Sequence, residues 1–254
     1  MRMGIILSSI LVFSSAISAP IKTMIGAECS MRIPQESYTI VEVEWIQSDG
    51  KAYINTGVIP NGFLPFSMRC ILGTKFVATP FLGCAMYTSQ SSHWFSQGKT
   101  LIYGFGMSNL DRRFTLKARV MNDHMVWNGT QNWGNEYFDG KMHTINVFHN
   151  NANTWDNSGV EVDGNQMPIG YLFSGSALQE NYETIALFGI MCEGEAWYIT
   201  DTSVGFKIQS IQIGGLDLVA VRVGNVGCMY DRLSGEFFEN AGEGEFIIGP
   251  DKER

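Results

Sequence analysis

Charge is scarce in this chain: Asp, Glu, Lys and Arg together make up 17% of its 254 residues. Basic side chains are the scarcer, 17 against 25 acidic ones, for a formal net charge of −8. They form no stripe, and nucleic acid needs clustered Lys and Arg to displace its counterions, so a nucleic-acid partner is excluded. The same balance gives no attraction to anionic lipid. Cysteine is sparse and dispersed: Cys29, Cys70, Cys84, Cys192 and Cys228 form no C-x-x-C pair. That removes the usual zinc framework. Two readings of the thiols stay open: one or two disulfides with one cysteine left over, or buried apolar side chains.

Long hydrophobic runs are missing after the first twenty residues. The stretch Gly4–Ala19 follows Arg2 and carries small residues at Ser14, Ala16 and Ala19. A basic start, an apolar centre and small residues near the cleavage point resemble a secretory signal. The run is too short and too rich in serine to span a bilayer. The mature chain is therefore expected to have no membrane span and to be secreted or held at a cell surface. Catalytic signatures are missing too. His93, His124, His143 and His149 show neither i, i+4 spacing nor a His-Glu-x-x-His pattern, and the default reading of each is a satisfied strand or loop histidine. There is no G-x-S-x-G elbow, no phosphate loop, no internal repeat and no sustained 3.6-residue period.

What is present is period two. In Arg113–Val120 apolar side chains take every second place, which sends Arg113, Thr115, Lys117 and Arg119 to the other face. Val41–Trp45 and Thr144–Val147 alternate likewise. Further strands are expected at 52–58, 67–76, 184–191, 205–213, 216–223 and 244–248. The side of alternation switches at Gln209–Ser210, as at a bulge, and at Gly214–Gly215, as at a turn. Asp139–Gly140 and Asp163–Gly164 are further turn signals. A short helix is expected near Ser176–Tyr182. The 28 glycines and 12% aromatic residues suit many strands joined by tight turns. The length fits one β-sandwich of about 200–250 residues. The expected division is a signal-like segment and leader over 1–37, a sandwich over 38–250 and a tail over 251–254.

Two segments carry a resemblance. Val43–Gly57 runs Val-Glu-Trp-Ile-Gln-Ser-Asp-Gly-Lys-Ala-Tyr-Ile-Asn-Thr-Gly, and Gly227–Gly242 runs Gly-Cys-Met-Tyr-Asp-Arg-Leu-Ser-Gly-Glu-Phe-Phe-Glu-Asn-Ala-Gly. They resemble the opening and closing strands of concanavalin A-like, laminin-G-like modules found in gut bacterial surface proteins and their phages. Gly140–Val147 and Val160–Asn165 resemble the central hairpin of the same modules, with Met142 where an aromatic residue is usual. The resemblance implies an all-β fold, a two-sheet antiparallel jelly-roll sandwich with little helix. It also implies that Tyr53–Gly57 lies beside Phe246–Ile248, and it leaves a bacterial surface and a phage virion both open as locations.

Glycosidases of this fold set carboxylates on alternate positions of one strand, one to attack and one to protonate. The nearest match here is Glu161-Val162-Asp163-Gly164-Asn165-Gln166, where amides replace the third acid and Gly164 points to a turn. No catalytic residue is assigned. Glu42 with Glu44, Glu193 with Glu195 and Glu243 with Glu245 read as solvated faces. Calcium remains a candidate cofactor because related modules hold it with loop oxygens, here Asp123, Asp156, Asn157 and Asp163, although their spacing matches no defined ligand loop.

Rings among amides are the most specific chemistry. Trp94, Trp127, Trp133, Tyr137 and Trp155 lie in segments rich in Asn, Ser, Gln and Gly, with Asn132 and Asn153 beside two of them. Flat apolar faces suit the C–H surface of a pyranose and planar amides suit its hydroxyls. These seven residues are the expected ligand-binding set for a glycan or cell-surface polysaccharide. Trp and Tyr also serve protein interfaces, so a protein partner or self-association is the alternative. A divergent glycoside hydrolase is the third reading.

Overall fold

The computed structural model describes residues 39–60, 64–74, 79–87, 99–108, 113–120, 123–128, 135–149, 158–167, 173–174 and 183–253. All of them belong to one compact unit, Ser37–Arg254. The architecture is all-β, with two sheets.

The first sheet runs in the order β11 (Asn165–Gln166), β10 (Ser158–Val162), β9 (His143–His149), β4 (Phe66–Ile71), β16 (Lys207–Ile213), β17 (Leu216–Val223), β18 (Val226–Asp231) and β19 (Phe237–Phe238). Three short strands extend it: β1 (Ile40–Glu42) on β17, β2 (Ile46–Ser48) on β16, and β20 (Phe246–Ile248) on β2. The second sheet runs β12 (Phe173–Ser174), β8 (Asp123–Asn128), β7 (Arg113–Val120), β6 (Lys99–Ser108), β5 (Thr79–Tyr87), β13 (Ala186–Leu187) and β3 (Ile54–Asn55). To it are added β14 (Ile190–Cys192), which runs parallel to β5, and β15 (Glu195–Trp197) on β14. Among the described residues helix is confined to two 3-10 turns, Asn135–Tyr137 and Thr202–Val204, and no helix is long and apolar enough to cross a membrane.

Alternation explains why the sheets face one another. In β4, Phe66, Met68 and Cys70 are buried while Arg69 is exposed. Neighbouring β9 buries His143, Ile145 and Val147 in the same row. From the other sheet Phe81, Leu82, Tyr103, Phe105 and Leu187 enter the same apolar cluster. Phe66 meets Phe105 edge to face at 5.6 Å, and Phe81 stacks on Phe206 at 3.9 Å. Each such side chain contributes roughly 1.5–3 kcal/mol by leaving water.

The alternation switch at Gln209–Ser210 is a register shift against β4, between Ile208 and Ser210. It moves the buried set from Ile208 to Ile211 and Ile213. Gly214 and Gly215 form the two-residue turn between β16 and β17, both with positive φ, as the twist of a tight hairpin requires.

Three expectations need correction. The closing strand β20 pairs with β2, Ile46 against Ile248, whereas β3 pairs with β13 in the other sheet. Ser48-Asp49-Gly50 is the corner at which the chain leaves one sheet for the other. The expected strand at 52–58 is only two residues long, because Asn55 and Thr56 turn their side chains to local backbone: Asn55 Oδ1 accepts from Gly57 N–H and Thr56 Oγ1 from Val58 N–H. The expected strand at 184–191 is broken at Phe188, whose φ of 64° ends β13 before β14 begins. The expected helix at Ser176–Tyr182 lies outside the described residues.

Candidate functional site

Of the seven expected ligand-binding residues, Trp94, Asn132, Trp133, Asn153 and Trp155 lie outside the described residues. Trp127 lies within strand β8, opposite Leu116 of β7, rather than in a loop. Tyr137 closes the 3-10 turn Asn135–Tyr137 and is half-buried, packed on the core with its ring edge-on to His143 at 5.2 Å. Asp123, expected in a loop, begins β8.

Aromatic surface appears where the sequence reading did not place it. Glu193–Gly194 is the two-residue turn joining β14 to β15, Cys192 standing opposite Glu195. Both turn residues have positive φ, 56° and 77°. The turn is fixed from outside as Gly194 N–H donates to Glu183 Oε2 at 3.3 Å. Just beyond it come Trp197, 38% exposed, and Tyr198, 49% exposed and itself at φ 53°. Glu193 and Glu195 are exposed on the same hairpin. The signal for this pair was the Glu-Gly turn followed by adjacent rings. It was obscured because Thr184–Met191 reads as one unbroken strand.

A polar cluster lies at one end of the core. His143 is 7% exposed, and both its ring nitrogens meet carboxylates: Nδ1 lies 2.7 Å from Asp163 Oδ2 and Nε2 lies 3.0 Å from Asp139 Oδ1. Asp163, with φ 51°, and Gly164 form the turn between β10 and β11, Val162 facing Asn165. Asp163 Oδ1 accepts the N–H of Thr144 at 2.8 Å. The Glu161–Gln166 segment is thus a hairpin, and its aspartate is committed to holding β9. It does not place alternate carboxylates along one strand, as the glycosidase pattern requires. Among the described residues no group of three or more His, Cys, Asp or Glu is arranged to hold a metal ion.

The residues that carried the family resemblance perform structural work. Asp49 Oδ1 accepts the N–H groups of Lys51 and Ala52 at 2.8 and 2.9 Å. Asn240 Oδ1 accepts from Tyr53 and Gly242, and its Nδ2 donates to the carbonyls of Gly242 and Gly244. Asp231, 1% exposed, accepts from the N–H groups of Asp217, Leu233 and Ser234. The Ser234 hydroxyl and these amides outweigh burial and hold the Asp231 carboxyl below its ordinary range. No protein-family model matches the chain, and no curated protein matches it.

Proposed function

We propose that this protein is a non-catalytic recognition module of the concanavalin A-like, laminin-G-like jelly-roll kind, and that its ligand is carbohydrate. On this reading it works on a secreted or cell-surface protein or on a phage particle. The observation that carries the reading is the exposure of Trp197 and Tyr198 on a hairpin held at the edge of a sheet. A ring has few torsions to immobilise, so it offers large contact area at small entropic cost. Indole and phenol faces pack against the C–H face of a pyranose, and the Glu193 and Glu195 carboxylates accept from its hydroxyls. Trp94, Asn132, Trp133, Asn153 and Trp155, which lie outside the described residues, remain part of the proposed ligand-binding set on the strength of the sequence alone. The all-β two-sheet architecture and the structural use of Asp49, Asp163 and Asp231 support recognition over hydrolysis.

The test is binding of the full chain to a broad glycan array, followed by Trp197→Ala, Tyr198→Ala, Trp133→Ala and Trp155→Ala. Loss of about tenfold in affinity at Trp197 or Tyr198, with an unchanged far-ultraviolet spectrum, is the expected result. Silence of the folded wild-type chain across the array overturns the proposal.

The same exposed pair favours one rival, a module that assembles with protein, because Trp and Tyr are enriched at interface hot spots. Light scattering that gives an oligomer, converted to monomer by Trp197→Ala, would establish that rival instead.

A further inference from the structure

We propose that His143 is a proton-dependent clasp: only its doubly protonated ring ties the Asp139–Gly140 turn to the Asp163–Gly164 turn, and the β10–β11 hairpin loosens when that proton leaves.

A neutral imidazole has one N–H and one lone pair, whereas an ionised carboxylate only accepts. Two carboxylate oxygens at 2.7 and 3.0 Å from the two ring nitrogens are both satisfied only by imidazolium. Either neutral tautomer leaves a ring lone pair aimed at a carboxylate oxygen. Neither carboxylate turns away without further loss. Asp163 Oδ1 holds the Thr144 N–H, while Asp139 Oδ1 holds the Lys141 N–H at 2.9 Å and its Oδ2 pairs with Lys141 Nζ at 3.0 Å.

Carboxylates predominate around the ring. From the preceding turn come Asp139 and Lys141, and from the hairpin Asp163. Tyr137 presents its ring at an interplanar angle of 84°, with Glu136 beside it on the same 3-10 turn. From β4 comes Cys70, opposite His143 in the ladder and kept a neutral thiol by burial. Among the described residues Lys141 is directed to Asp139 with its side chain 78% exposed, and Arg69, opposite Thr144 on β4, is exposed. Burial by itself would favour the neutral ring, but the hydrogen bonds to Asp163 and Asp139 outweigh it and raise the His143 pKa above its ordinary value. A group raised in the folded state adds stability that is complete below its unfolded pKa, about 6.5, and is lost as pH rises through the folded value. The clasp is therefore complete below about pH 6.5, down to the range where its carboxylates protonate, and opens as pH rises through the folded value. The clasp does not depend on carbohydrate binding.

The experiment follows the imidazole of His143 by NMR in the full chain and the exchange of the Thr144 and Asp163 amides, which bridge β9 and the hairpin. His143 is expected to titrate above 6.5. Across that titration the protection of both amides, corrected for base-catalysed exchange, should fall about tenfold, the cost of one charge-assisted hydrogen bond. His143→Gln should remove the step. Asp139→Asn, for use if that variant does not fold, should move the titration downward. A ring titrating at or below 6.5, or a step that persists in His143→Gln, overturns the clasp.

Discussion

Asp49 accepts the amide N–H of Glu245 at 2.9 Å, joining the first corner of the sandwich to its closing strand across 196 positions. The same carboxylate caps Lys51 and Ala52. Burial would raise its pKa, but the three amides prevail and hold it below the ordinary range. Asp49→Ala removes three acceptor contacts at an exposed site, where solvent replaces part of what is lost. A cost of about 1–2 kcal/mol is expected, in line with the loss of a capping side chain. Urea unfolding of both proteins measures it.

Acid should destabilise the fold through several carboxylates together. Asp49, Asp163, Asp201 and Asp231 are all held below their ordinary pKa by hydroxyl, N–H or imidazolium donors that outweigh desolvation. A depressed folded value gives stability that is present above the unfolded pKa, about 3.9, and is lost as pH falls through the folded one. The Tm should therefore fall steadily below about pH 4. Asp231→Asn should flatten that limb; an unaltered limb would count against the assigned role of Asp231.

Gly73 cannot carry a side chain. Its φ is +91°, and a Cβ there would stand 1.9 Å from the carbonyl oxygen of Val204. Gly73→Ala must move the backbone that follows β4 away from the Thr202–Val204 turn. Destabilisation of at least about 3 kcal/mol is expected, readable as a lower Tm. Gly164→Ala is the contrast, since a Cβ there meets nothing within 4 Å and only the positive φ opposes it.

Much of this architecture was legible in alternation. The strands over Arg113–Val120 and Leu216–Val223 have the expected bounds, and Gly214–Gly215 is the expected turn. The strand Lys99–Ser108 was not recognised because its period is aromatic against glycine, Tyr103-Gly104-Phe105-Gly106, so nothing polar marks the second face. Gly106 is required there because a Cβ would stand 2.5 Å from the Thr79 carbonyl oxygen. The partner of the closing strand was misjudged because alternation fixes which face a residue takes but not which strand lies beside it. His143 read as an ordinary strand histidine, since its partners come from turns 4 and 20 positions away that only the folded hairpins bring together. Of the five rings expected to bind ligand, Trp94, Trp133 and Trp155 lie outside the described residues, while Trp127 stands in β8 and Tyr137 packs on the core; the exposed Trp197 and Tyr198 went unnoticed because the hairpin before them follows an apolar run.

Thiol chemistry offers a direct check on the core. Cys70, Cys84, Cys192 and Cys228 are buried and form no disulfide, and burial pushes the Cys228 thiol up to about 12. With five cysteines in the chain, at most one, Cys29, should react with an aromatic disulfide reagent under native conditions. All should react in denaturant. Rapid native labelling of two or more would contradict the core as described.

The pairing of β2 with β20 sets how the domain answers to force. Ile46 faces Ile248, Val43 bridges Asp251, and Arg222 binds Asp251 through both its Nε and a terminal nitrogen. The two ends of the sandwich therefore emerge side by side on one flank. Tension applied between them pulls across the strands and breaks the bonds of this ladder in succession, like a zip, rather than shearing them all together. A sandwich laced in this way yields to tension between its ends at a lower load than one whose end strands must shear together.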